Sequence, residues 1–274
     1  MCSPKVFEYS SEALKRGKSE LSDAVRLAAL SGDAEVVDVS GLFWENINTV
    51  QDFKRGKRAV VERAQKGRGA SDFVAHYVNK PIENKIVYHL SDSRVTPNQL
   101  TIATNLVAYC VTALFLFGHL LTGSILTFFV GIMDGLDGKL ARVRRRTTRL
   151  GIMEHPFDML FEFSWLIALS LYLSRSGGSL PLVLCTVTLT LIAFYRFCYD
   201  QFGRAMKISL DVYAPFERAF RRIAGRRNLY NIHILVGALI KAPLYSLIGI
   251  LCHAALTAVV YAYRACRHLY VADR

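Results

Sequence analysis

Cysteine pairs in C-x-x-C spacing are missing from this chain, and so is any cluster of histidines with cysteines, so neither a zinc centre nor a disulfide framework is required. Its cysteines, Cys2, Cys110, Cys185, Cys198, Cys252 and Cys266, lie mostly in apolar segments, where a buried thiol packs as a small hydrophobe. The first 25 residues lack an apolar run, so no secretory leader is expected. Acidic residues are scarce beside basic ones, 22 Asp and Glu against 34 Lys and Arg, leaving a net charge of +12. Such an excess fits nucleic acid or anionic lipid, and the placement of the charges decides between them.

Long apolar runs are abundant. Hydrophobic residues make up 52% of the chain and are concentrated in 99–266, whereas 1–95 is polar and charged. Apolar segments run over 99–119, 121–141, 152–174, 179–201, 229–241 and 243–264. A spanning helix needs about 20 apolar residues. Four segments read comfortably as spans, while the short fifth crosses only if Asn228 to His233 lies in polar surroundings. In lipid every backbone polar group must be paired internally, which leaves helices or closed barrels. The expected fold is therefore an all-α integral membrane bundle of six transmembrane helices, preceded by a juxtamembrane amphipathic helix and a small cytoplasmic N-terminal αβ appendage.

The basic residues sit in alternate loops. Arg142, Arg144, Arg145, Arg146 and Arg149 follow the second segment, and Arg204, Lys207, Arg218, Arg221, Arg222, Arg226 and Arg227 follow the fourth. Only Arg175 and Lys241 fall on the opposite side. The excess of Lys and Arg on one side predicts cytoplasmic termini and basic loops, and the positive charge then needs no nucleic acid. Before the first span, Asn79 to Ser93 brings Ile82, Ile86, Val87 and Leu90 to one helical face, as in a helix lying on a membrane surface. Thr96-Pro97-Asn98 reads as a helix start.

Acidic residues are costly near a bilayer, which makes the stretch from Asp134 to Asp158 the most informative in the chain. Asp134 and Asp137 share a helical face with Gly138 and Ala141, so two carboxylates project where the backbone is open to a ligand. On the next helix Glu154 and Asp158 are one turn apart, and a short loop packs the two helices antiparallel. Such an oxygen-rich set suits Mg²⁺ or Mn²⁺.

The segment resembles the signature of the CDP-alcohol phosphotransferase family, D-x2-D-G-x2-A-R-x8-G-x3-D-x3-D. Asp134, Asp137, Gly138, Ala141, Arg142 and Gly151 match its first half. Strict spacing would then place acids at His155 and Met159; one residue earlier, Glu154 and Asp158 keep the interval. A second register, Asp158 with Glu162, also keeps it but needs a three-residue insertion in place of a one-residue deletion. The resemblance implies a membrane enzyme that displaces CMP from a CDP-linked donor, CDP-diacylglycerol or a CDP-polyol, with an alcohol or polyol-phosphate acceptor. It implies Asp134, Asp137, Glu154 and Asp158 as ligands of Mg²⁺ or Mn²⁺, Asp158 also as base, and Asp134, Asp137, Gly138, Ala141 and Arg142 at the CDP group. Arg149, Arg196, Arg226 and Arg227 are candidates for an acceptor or diphosphate anion. His155 neighbours the acids without joining them. Membrane lipid and a homodimer are further implied partners.

Around 2–9 and 41–55 the chain is similar to the tail of a sugar-phosphate nucleotidyltransferase, as in fusions of inositol-phosphate cytidylyltransferase with di-inositol-phosphate-phosphate synthase. No Gly-rich phosphate loop accompanies it, so this segment is expected to be a remnant. The expected division is 1–70 as the N-terminal segment, 71–95 as juxtamembrane helix and linker, and 96–274 as the six-helix transferase domain. A binding or scaffold protein that keeps the fold without turnover is the second reading. A transporter fits less well, because its charges belong near the bilayer midplane.

Overall fold

The computed structural model describes residues 3–35, 37–38, 43–65, 71–146 and 153–274, the side chain of Glu154 excepted. The chain divides into Met1–Asp52 and Phe53–Arg274. In the first unit α1 (Val6–Lys15) and α2 (Leu21–Leu30) form a helical hairpin, with Ala13 and Ala24 buried. No strand occurs among the described residues, so the expected αβ appendage is corrected to a helical one. Its Ala, Leu, Glu and Lys content favours helix, and the alternation a strand requires is missing.

α3 (Val50–Arg63) lies mostly in the second unit, where a π-helical turn (Ala75–Asn79) runs directly into α4 (Lys80–Leu90). The apolar segments become α5 (Pro97–Leu116), α6 (Leu120–Val143), α7 (Glu154–Gly177), α8 (Leu180–Met206), α11 (Arg227–Leu239) and α12 (Leu244–Ala272). Two short helices, α9 (Leu210–Tyr213) and α10 (Pro215–Phe220), fill the stretch between α8 and α11. Among the described residues α5, α6, α7, α8 and α12 are long and apolar enough to cross a membrane. At 13 residues, α11 is not.

The start of α5 is written in the sequence. Thr96 accepts from the Gln99 backbone N–H while the Gln99 side chain accepts from that of Thr96, and Pro97 stands at the first helical position. The main core joins α5, α7, α8, α11 and α12 through Phe115, Trp165, Ile192, Ile234 and Ile250. Polar links cross it: Trp165 Nε1 donates to the Ala108 carbonyl at 2.8 Å, and the Thr112 and Ser164 hydroxyls lie 2.7 Å apart. Gly237 on α11 lets α12 approach, since a Cβ there would overlap Ser246.

A second core cluster places α4 against α6. Val61, Val87, Leu136 and Leu140 are buried together, with Ile86 and Leu90 packed on them. Three of the four residues expected on the apolar face of α4 thus meet protein, and Ile82 remains exposed. Arg144, one residue past α6, secures this arrangement by donating to the carbonyls of Leu90, Ser91, Ser93 and Val95. These include carbonyls at the end of α4, where the intrahelical ladder runs out.

Candidate functional site

The site is assembled where α5, α6, α7 and α11 converge. Asp137 is 5% exposed and accepts from the Thr101 hydroxyl on α5. Gly138 leaves space beside it, in which the Arg142 guanidinium lies 3.1 Å from where a Cβ would stand. Arg142 Nε then reaches the Ala64 carbonyl at 3.1 Å, near the end of α3. Ala141, on the same face, is half-buried.

Asp134 accepts from Arg227 of α11, and the same guanidinium stands 3.8 Å from Asp158 of α7. Arg227 also lies over the Phe161 ring, 4.9 Å from its centroid. Carboxylates of two helices therefore converge on one positive charge. One turn beyond Asp158, Glu162 is buried and accepts from Arg196 of α8. Glu162 Oε1 and Arg227 Nε have no hydrogen-bond partner, and both residues line a small cavity with Trp165, Leu166, Tyr230, Asn231 and Ile234.

Residues outside the motif enter from α4. Glu83 rests against Gly135, where a Cβ would collide with its carboxylate, and Asn84 accepts from Lys139. Burial pushes the Glu83 carboxyl above its ordinary range, with Lys139 opposing and Asp134 reinforcing the shift. The glycine between Asp134 and Asp137 thus has a packing function that motif spacing does not reveal.

Asp134, Asp158 and Arg227 are brought together, with Asp137 one turn along α6. Arg196, expected to meet a substrate anion, is paired with Glu162. Arg226 turns toward Asp72, at 3.9 Å. His155 is exposed. Arg149 and the Glu154 side chain lie outside the described residues. Sequence reasoning missed Asp72 and Glu83, and marked Asn228 only as the polar start of the short fifth segment. Glu162 was legible as the residue one helical turn after Asp158.

Among the described residues no three His, Cys, Asp or Glu side chains stand close enough to ligate an ion by themselves. The donor chemistry still fits a hard divalent ion. Asp134 and Asp158 reach one cation from two helices, and Mg²⁺ characteristically takes one or two carboxylates together with substrate phosphate oxygens.

Residues 94–259 match the CDP-alcohol phosphatidyltransferase family model. The chain is 32% identical over 208 residues to the bifunctional IPC transferase and DIPP synthase of Aquifex aeolicus, covering 72% of this chain and 47% of that protein. It is 30% identical over 241 residues to the protein of the same description from Archaeoglobus fulgidus, covering 86% and 46%. It therefore spans less than half the length of these relatives. A crystal structure of Mycobacterium tuberculosis phosphatidylinositol phosphate synthase with CDP-DAG bound shares the fold at a TM-score of 0.54 and 18% identity, over 68% of this chain and 94% of that one. The same enzyme is also known in complex with manganese and citrate, at a TM-score of 0.54. The chain belongs to the CDP-alcohol phosphatidyltransferase family.

Proposed function

We propose that this protein transfers a substituted phosphate group from a CDP-linked donor to a polyol-phosphate acceptor, releasing CMP. The observation that carries the reading is the convergence of Asp134 and Asp158, from two helices, on one cationic centre within the family's acidic motif. The similarity to proteins described as DIPP synthases favours a CDP-polyol as donor. CDP-diacylglycerol is the alternative, since CDP-DAG is the ligand of the Mycobacterium tuberculosis enzyme.

In this reading Asp134, Asp137, Glu154 and Asp158 would hold Mg²⁺ or Mn²⁺. The ion would supply charge neutralisation at the donor diphosphate. Asp158 takes the proton of the acceptor hydroxyl as the new P–O bond forms and the bond to CMP breaks. Gly138 and Ala141 would keep the face of α6 low for the cytidine nucleotide, with the Arg142 guanidinium lying against Gly138. Arg227 offers a guanidinium to phosphate oxygens, while Arg226 and Arg149 add positive charge for the acceptor. Arg196 acts from behind through Glu162.

We assign the activity to 96–274, with 71–95 as the juxtamembrane helix and 1–70 as an N-terminal segment. α11, too short to span lipid by itself, serves as the sixth crossing only because its polar start lies in the site. The basic loops orient the termini and the mouth of the site to the cytoplasm.

The test is CMP release by purified protein with Mg²⁺ or Mn²⁺ across CDP-polyol and CDP-diacylglycerol donors and a panel of alcohol and polyol-phosphate acceptors. Acceptor-dependent release that disappears in Asp158→Asn is the expected result. Binding of CDP donors with no turnover by any pair would replace this reading with a membrane binding protein that keeps the fold.

A further inference from the structure

A buried carboxylate outside the family-matched region is tied to the turn that carries Arg227. Asp72 is 2% exposed and lies just before the π-helical turn. Its Oδ1 accepts from the Ala75 backbone N–H at 2.8 Å, which starts the local helix. Both carboxylate oxygens accept from Asn228 Nδ2, at 3.2 and 3.1 Å, and Arg226 stands 3.9 Å away. The adjacent Phe73 N–H donates to the Arg222 carbonyl at 3.2 Å. One short segment therefore holds the residues on both sides of Arg227.

The other end of that segment is held by α6. Asn79 Nδ2 donates to the Gly131 carbonyl at 3.3 Å, and a Cβ on Gly131 would lie 3.0 Å from Asn228 Oδ1. Gly131 is one turn before Asp134. The segment 72–79, α6 and the start of α11 thus meet at a node beside the Asp134–Arg227 pair. A π-helical turn is an uncommon form that often accompanies functional sites. Here it directs Asp72 toward α11 and Asn79 toward α6.

Arg227 needs such support. Its Nε has no hydrogen-bond partner, while its terminal nitrogens bear on two carboxylates. A long side chain reaching two acids from different helices requires its backbone to be held.

We infer that Asp72 is a positioning residue for Arg227: through Asn228 and Arg226 it sets the start of α11 so that the guanidinium reaches Asp134 and Asp158. The inference rests on reading that cluster as the reacting site. It makes a region outside the matched family segment part of the site's supporting structure.

A double-mutant cycle on the full chain tests it. Asp72→Ala is expected to lower kcat/KM for CMP release about tenfold in the native background and to have no further effect in Arg227→Gln, because coupled residues are non-additive. A purely structural contribution would lower activity equally in both backgrounds, and additive losses would overturn the inference. If Asp72→Ala fails to fold, Asp72→Asn retains an acceptor for the Ala75 N–H and takes its place in the cycle.

A second readout does not need turnover. Trp165 lines the same cavity as Arg227, and Trp44→Phe leaves it as the sole tryptophan. The Asp72 variant should shift Trp165 emission when Arg227 is present and leave it unchanged in Arg227→Gln. Equal shifts in both backgrounds, or none, would overturn the inference even if wild-type protein turned over no donor. Inactivity of wild type would instead count against the transferase reading.

Discussion

Arg227 donates to Asp134 across 93 residues of sequence, and the pair joins α11 to the helix carrying the acidic motif. Its nearness to Asp158 adds α7 to the same charge cluster. Arg227→Lys should not restore what Arg227→Gln removes, because an ammonium lacks the planar fork that faces two carboxylates. We expect CMP release to fall by about tenfold or more for both variants. Lysine activity equal to wild type in steady-state assays would show that charge alone suffices.

Asp158→Asn preserves shape while removing a base. Proton transfer by a placed side chain typically contributes about 10²–10⁴-fold, and the expected loss in kcat falls in that range. Thermal unfolding should change little. A variant that kept its kcat would remove Asp158 from the proposed chemistry.

The Glu162–Arg196 pair allows a stability cycle. Glu162 is nearly fully buried, whereas 31% of the Arg196 side chain is exposed. Arg196→Met should destabilise by about 2–3 kcal/mol, below the usual cost of stranding a fully buried charge because Arg196 retains some solvent. Adding Glu162→Gln should recover part of that loss in thermal unfolding. No recovery would show that packing around Arg196, and not charge, dominates.

Acid should expose the cluster between α10 and α12. Burial would raise the Glu217 carboxyl, but hydrogen bonds from Arg264 and His268 outweigh it and hold the pKa lowered to about 2 from an ordinary 4.5. A group depressed on folding stabilises above its unfolded pKa and loses that contribution as pH falls toward the folded one. Stability should therefore decline from about pH 4.5 toward pH 2, and Glu217→Gln should flatten that part of the curve. Equal slopes for variant and wild type across that interval would refute the assignment.

At the α11–α12 crossing, Gly237→Ala should cost about 1–3 kcal/mol. The new methyl would stand 3.2 Å from Ser246 Cβ and 3.4 Å from the Ala242 carbonyl, in addition to overlapping the serine hydroxyl. Unfolding midpoints would reveal the change, and a more stable variant would mean that α12 yields easily.

The apolar runs made the helices legible, since hydrophobic length and the Thr96–Gln99 capping pattern are local properties. The motif likewise pointed to Asp134, Asp137 and Asp158, of which Asp134 and Asp158 converge on Arg227. What local pattern could not supply was pairing at a distance: Glu162 with Arg196, Asp72 with Asn228, and Glu83 against Gly135. Arg196 was legible as an intramembrane cation, yet its partner lies 34 residues earlier on another helix. The αβ expectation at the N-terminus rested on faint similarity, and the helical periodicity of α1 and α2 prevailed.

Three of the four carbonyls bound by Arg144, those of Leu90, Ser91 and Ser93, precede residue 94, where the family match begins. A protein trimmed to that match would lose those acceptors and uncover Leu136 and Leu140, which α4 now shields. The shortest version worth expressing for enzymology therefore begins well upstream of the recognised domain, near residue 53, where the second unit starts.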